Sequence, residues 1–352
     1  METLQREKWG AGLAWGTIGL WAAWLAVPTA SVSAQALQPK PMSPPPAGSP
    51  DPLQRLSQAA KRLQNEQTFE FQYKFSVGDV IRWHVDHSAA TETRAQNDQD
   101  KTASRAQSIV KWQVNHVDAL GNATIMLTLD AAKMWQQTDD HPPIEYDSQN
   151  QRGEVPEEYR QFAEWIGVPM ATYQIDPNGT VIDRKEVYRS IKFGVGDVTM
   201  PLPGRPVRLG QAWHSPGSIM VGLSDGSRKS IRTRIEYRLQ SVDDGIATVS
   251  FDTQVLTPVD DPRIESQLLQ QMSQGEVLFD LNRGQMVARN LAWNRRCLGF
   301  KGPDSSVNYV AKYTMRHLVD GGASGEDKAK LTSKDHLQLN VRLAEDGPVF
   351  RW

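Results

Sequence analysis

One cysteine, Cys297, serves the whole chain, so no intramolecular disulfide can form and the folded state rests on packing and hydrogen bonds. Set between Arg295, Arg296 and Leu298, it reads as a reactive or crosslinking thiol or as a small buried apolar side chain. Net charge is scarce too: 39 Lys and Arg stand against 41 Asp and Glu, a formal −2. So balanced a chain has no overall pull on nucleic acid. The H-E-x-x-H pair, the P-loop and the G-x-G-x-x-G turn are absent, which removes the usual zinc-protease and nucleotide signatures. No second long apolar run follows the N-terminal one, so no transmembrane helix is expected beyond it.

What is present begins at the N-terminus. Arg6 and Lys8 precede an apolar run from Leu13 to Val27, Pro28 breaks it, and Val32, Ser33, Ala34, Gln35 and Ala36 follow. A positive region, an apolar stretch of roughly 15 residues and an A-x-A-like exit describe a secretory signal peptide. Residues 1–36 are therefore expected to direct export to the periplasm, cell surface or medium. The alternative is retention as an inner-membrane anchor over residues 9–27.

Residues 37–52 hold seven prolines and form a linker, extended rather than packed. Leu53, Leu56, Ala60 and Leu63 then recur at helical spacing, with Asp51 to cap and Pro52 at the first turn, which predicts an amphipathic helix over 53–65.

The chain then repeats itself. Val117, Asp118, Gly121, Ala123, Thr124 and Ile125 are echoed by Val242, Asp243, Gly245, Ala247, Thr248 and Val249. Ile175, Asp176, Asn178, Gly179 and Val181 are echoed by Phe279, Asp280, Asn282, Gly284 and Met286. Asn and Gly supply the positive φ of a hairpin turn. Gly78, Asp79 and Trp83 are answered more loosely by Gly210, Gln211 and Trp213. A helix is expected in the same slot of each copy. One opens at Pro156, with Tyr159, Phe162, Ala163 and Ile166 on one face and Gly167 at its end. The other opens at Asp261 and Pro262, turns Ile264, Leu268, Leu269 and Met272 inward, and ends at Gly275.

Ala123, Ile125, Leu127 and Leu129 alternate with Thr124, Met126, Thr128 and Asp130, and Ala247, Val249, Phe251 and Val255 with Thr248, Ser250, Asp252 and Gln254. Period two with one wet face means antiparallel sheet covered on one side. The expected class is α+β, predominantly antiparallel β, as two tandem copies of a curved-sheet unit with one helix each. The copies span residues 66–195 and 205–320. Residues 321–335 read as a mobile loop, and residues 336–352 as a C-terminal strand in which Leu337, Leu339, Val341 and Leu343 alternate with polar residues.

With its Gly, Asp and Trp opening, its G-x-A-T turn and its Asp, Asn and Gly hairpin behind a signal peptide, the chain resembles a class of exported bacterial proteins known as domains of unknown function. The resemblance implies export and a β-rich two-repeat fold. It transfers no catalytic residue.

Candidate chemistry is sparse. His84 and His87 flank Asp86, but three positions along a strand reverse the face, so joint metal ligation is not expected. Asp139, Asp140, His141, Glu145 and Asp147 crowd one loop and read as a solvated turn rather than a cation site. Asp176 and Asp280 read as turn caps rather than an acid and base pair. No cofactor is implied. One surface stands out: Arg228, Lys229, Arg232, Arg234 and Arg238 lie on the polar side of a strand whose other side carries Ile231, Thr233, Ile235 and Tyr237. Such a stripe fits an envelope partner, an anionic polysaccharide or a lipid headgroup. Trp83, Trp112, Trp135, Trp165, Trp213 and Trp293 are either core residues or the lining of a groove. The leading expectation is a non-enzymatic binding or structural module of the envelope. An apolar-ligand carrier would need a lined cavity, and a hydrolase would need a cleft where two carboxylates, or a His and an acid, are brought together by the fold.

Overall fold

A computed structural model describes residues 67–186 and 199–318. The export segment, the linker, the 53–65 helix, the 321–335 loop and the 336–352 strand lie outside the described residues.

In the first part of the chain, β1 (Thr68–Phe69) precedes three long strands, β2 (Val80–Ala95), β3 (Asp98–Val117) and β4 (Ala123–Thr138). The short β5 (Ile144–Asp147) leads to a helix α1 (Glu157–Ala163), then to β6 (Pro169–Ile175) and β7 (Val181–Glu186). In the second part, β8 (Val207–Arg208) precedes β9 (Ala212–Gly222), β10 (Arg228–Asp243) and β11 (Ile246–Val255). A helix α2 (Pro262–Leu268) follows, then β12 (Gln274–Asp280), β13 (Gln285–Leu298) and β14 (Ser305–Leu318). The protein is thus predominantly antiparallel β with two short helices. Neither helix is long and apolar enough to cross a membrane.

The long strands form one sheet in the order β7-β6-β4-β3-β2-β14-β13-β12-β11-β10-β9, with β5 beside β4, and every neighbouring pair is antiparallel. The expectation that each segment carries its own sheet therefore gives way to a continuous one. The joint is long: β14 pairs with β2 from Ser305 opposite Ala95 to Leu318 opposite Arg82. A shared core spans the joint, running from Tyr173 on β6 to Tyr237 on β10.

The strand faces follow the predicted alternation. Ala123, Ile125, Leu127 and Leu129 are buried, and their burial on one face fixes the register, since a one-residue slip would expose them all. Thr128 departs from the pattern and is buried. It lies at a register shift where Pro169 sits opposite.

All the echoed turns meet at one end of the sheet, here called the lower end. Asp118 Oδ1 accepts from Leu120 and Asn122 N in the β3–β4 turn. Asp244 (φ 50°) and Gly245 (φ 80°) make the two-residue β10–β11 turn. Asp176 Oδ1 accepts from Asn178 and Thr180 N, and Asp280 Oδ1 from Asn282 and Arg283 N. Both aspartates cap turns, as read from their setting before Asn and Gly.

A strap, residues 71–75, closes this lower end and ties the two halves. Tyr73 N donates to Pro177 O of the β6–β7 turn at 2.8 Å, and Lys74 N to Gly284 O of the β12–β13 turn at 3.0 Å. The strap also explains why both turns carry glycine beyond the demand of positive φ. A Cβ on Gly179 would lie 2.5 Å from the Tyr73 ring, and one on Gly284 2.5 Å from Gln72 O. Phe71 inserts between Trp213 and Phe279, with ring centroids 5.8 and 5.5 Å away. The Tyr73 hydroxyl accepts from Met200 N at 2.9 Å.

Two satellite cores hold the helices at the upper end. Seven residues are too few for a helix to persist alone in water, so burial supplies the stability. Ile264 and Leu268 of α2 pack on Ile219, Val221, Ile231 and Val255. Asp261 caps α2 by accepting from Arg263 N, with Pro262 in the first turn. Helix α1 sets Tyr159 and Phe162 against Met134 and Tyr146. The predicted end of the second helix at Gly275 is corrected: α2 stops at Leu268, and Gly275 lies inside β12 between Phe251 and Leu291.

Candidate functional site

Strand β10 carries the predicted basic stripe. Ile231, Thr233, Tyr237 and Leu239 are buried, so Arg228, Arg232, Arg234 and Arg238 share the opposite, outer face. Lys229 has the other parity, opposite Val221, and is exposed only because the strand begins there.

The stripe divides by its neighbours. Arg238 is engaged: its guanidinium donates to Glu236 Oε1 at 2.6 Å and to Gly210 O at 2.8 Å. Arg234 Nε donates to Gln254 at 2.7 Å. Glu236 also meets His214 Nε2 at 3.1 Å, and hydrogen bonding from Arg238, then His214, holds its carboxyl below the usual range. Glu236 in turn lies opposite Asp252 in register. The lower part of the stripe is thereby neutralised. At the upper end, the side chains of Arg228, Lys229 and Arg232 make no ion pair or hydrogen bond among the described residues and are exposed.

Three exposed aliphatic side chains stand at the same end and on the same face. Met220, 47% exposed, lies on β9 opposite Ser230. Leu256, 44% exposed, donates its backbone N–H to Arg232 O at 2.8 Å. Leu298, 59% exposed, ends β13 beside exposed Arg296, and both have the parity opposite to buried Cys297. Sequence reasoning missed these partners because they come from β9, β13 and the segment after β11. No local pattern joins them.

On β2, β3 and β4 the outer-face cations answer acids, whereas exposed Lys312 and Arg316 of β14 make no ion pair among the described residues. Arg105 pairs with Asp86 at 2.5 Å, and Arg82 and Lys111 both reach Asp130, at 3.6 and 3.4 Å. A shallow cleft of about 170 Å³ lies at the β3 register shift, with His84, Gln107, Lys133 and Asp147 in its wall.

His87 takes the other face, as the strand period requires. Its ring lies 6.3 Å from those of Trp293 and Tyr313, while Asp86 turns outward to Arg105 and Gln107. Burial lowers the imidazole pKa, against a smaller opposing pull from Asp86. The rings it meets are aromatic, and the His and acid that the fold does bring together are His214 and Glu236, with Asp252 opposite Glu236, on the outer face rather than in a cleft with His87. The indole N–H groups of Trp83, Trp112 and Trp293, and His87 Nε2, have no hydrogen-bond partner among the described residues. Arg289, also buried, lies over the Phe251 ring at 5.3 Å.

A histidine held below its ordinary 6.5 binds fewer protons folded than unfolded, so stability is full above that value and falls as pH drops through it. Between about pH 7.5 and about pH 5 the unfolding midpoint should decline. His87→Phe, measured by denaturant unfolding across that range, should flatten the decline by up to about 1.4 kcal/mol per pH unit.

Trp83, Trp112, Trp165, Trp213 and Trp293 are core residues, while Trp135 is half-buried. Cys297 is buried, and its thiol is pushed up to about 12 by burial and then by Glu265. This is the setting of the small buried apolar side chain that the sequence offered as one reading. Asp139 and Asp147 of the acidic loop accept backbone N–H groups, from Lys101 and from Gln149. Among the described residues no group of three or more His, Cys, Asp or Glu could hold a metal ion. The string Gly222 to Gly226 matches G-x-S-x-G. It is the β9–β10 hairpin, closed by Leu223 N to Ser227 O at 2.8 Å, and lacks the strand-to-helix elbow a nucleophilic serine uses.

No protein-family model and no curated protein matches this chain. Among solved structures, DynF from the dynemicin biosynthesis pathway of Micromonospora chersina is similar at 6% identity over 71% of this chain and 84% of its own, with a TM-score of 0.19. The Salmonella SPI-1 type III secretion injectisome secretin InvG is similar at 11% identity over 86% and 77%, with a TM-score of 0.16. At such scores neither likeness defines a common fold.

Proposed function

We propose that this chain is an exported, non-enzymatic binding module of the cell envelope, and that Arg228 and Arg232, on the outer face of β10, hold an anionic partner. The observation that carries the reading is the upper end of β10, where these exposed cations have no counter-charge opposite them in register. Arg228 faces Gly222 and Arg232 faces Ser218 across the sheet. Unpaired like charges in water repel weakly, and a polyanion that approaches them relieves that repulsion. The strap favours a surface role over a carrier role, since Phe71 and Tyr73 fill the inner face a carried ligand would need.

In this reading, residues 66–195 and 205–320 descend from one duplicated unit. Support comes from the matching order of β2, β3, β4, α1, β6, β7 and β9, β10, β11, α2, β12, β13, with the echoed turns gathered at one end. Export rests on the N-terminal pattern.

The test is retention of the full chain on an immobilised acidic polymer and on anionic vesicles. Binding to at least one is expected, weakening between low salt and about 0.5 M. Arg228→Glu with Arg232→Glu should abolish it. Retention of that variant equal to the parent would sink the proposal.

A further inference from the structure

We infer that the anionic partner is a lipid bilayer surface. The inference rests on the binding-module reading above and names its partner. A polyanion in solution needs cations alone. A bilayer also rewards aliphatic side chains that cross the headgroup layer, and basic residues alternating with such side chains are the composition of an interfacial anchor.

Arg228, Arg232 and Arg296 share their face and end of the sheet with Met220, Leu256 and Leu298. Isolated exposed leucines are ordinary on a protein surface. These three are each more than two-fifths exposed, and Arg232, Leu256, Ser230 and Met220 are tied to one another through backbone pairing. On β10 and β11 the acids lie lower, where Glu236 and Asp252 face each other; exposed Asp260 follows Leu256, exposed Asp304 lies in the β13–β14 turn, and Glu92, two strands from Arg296, is paired with Arg94. Asp225, in the β9–β10 turn, is occupied by Ser227 N at 2.9 Å and Ser227 Oγ at 2.6 Å. The side chains come from three strands of a paired sheet and one backbone-bonded neighbour, so docking orders no backbone and costs only side-chain rotamer freedom.

The experiment is co-sedimentation of the full chain with vesicles of equal parts phosphatidylglycerol and phosphatidylcholine, with phosphatidylcholine vesicles and a soluble acidic polysaccharide alongside. Every variant keeps the same N-terminus, so the apolar segment there contributes equally throughout. On anionic vesicles, Arg228→Gln with Arg232→Gln should bind roughly 30-fold more weakly. Leu256→Ser with Leu298→Ser should weaken vesicle binding roughly tenfold or more and leave polysaccharide binding untouched. Lys185→Gln, on β7 at the opposite edge of the sheet and paired with Asp183, is the control for charge alone. Unfolding midpoints equal to the parent's establish that the variants fold.

Vesicle binding that falls with both double variants supports the inference. Binding to polysaccharide without vesicle binding, or vesicle binding indifferent to the leucine pair, overturns it while the binding-module reading stands. Binding to neither anion overturns both.

Discussion

Phe71→Ala should lower the unfolding free energy by about 3–5 kcal/mol, a loss measurable as a shift in the denaturant midpoint at unchanged slope. The ring is buried between Trp213, which opens the second half of the sheet, and Phe279 at the β12–β13 turn. Its removal leaves a void that neither neighbour can close. Trp213 is tethered through Nε1 to Pro201 O at 2.9 Å, and Phe279 is wholly buried in a paired strand. Tyr73→Phe is the milder companion. It keeps the ring and strands Met200 N, at a cost of about 1–3 kcal/mol. An effect below about 1 kcal/mol for Phe71→Ala would mean that the strap lies on the sheet without bracing it.

Gly275→Ala should cost about 3 kcal/mol or more, although it adds one methyl group and places no residue at positive φ. The new Cβ would collide with the backbone carbonyl of Asn290 on β13. A ladder strand cannot yield as a side chain would, so β12 must separate from β13 or from β11. Gly222→Ala is the control. Its added Cβ meets only the end of Gln267 at 3.6 Å, and stability should change by less than about 0.5 kcal/mol. Equal midpoints for the two variants would show that β12 can shift without breaking its pairs.

The repeated hairpin turns were legible because their chemistry is local. Asp, Asn and Gly at fixed offsets impose a turn whatever surrounds them, and the alternating faces of β4 and β11 follow from burial on one side. The Gly275 correction has the opposite cause. Glycine after a helical pattern ordinarily ends a helix, and only the approach of Asn290 on a neighbouring strand reveals the other demand. The single sheet was likewise hidden, because the β2–β14 pairing joins segments from the two ends of the described chain. The basic stripe was visible as alternation along one strand. Which of its members are spent on Glu236, Gln254 and Gly210 is a property of the neighbours, and so is the aliphatic company of those that are not.

The strand that closes the sheet is the last of the described strands to be made. Until β14 arrives, β2 presents one bare edge along its whole length, and the core on that side lacks Tyr309, Tyr313 and Met315. Such distant pairing makes for slow folding, with a partly built sheet open to strangers. A chain truncated before Ser305 should therefore aggregate rather than survive as a smaller module. During synthesis, the hazard would last until β14 docks.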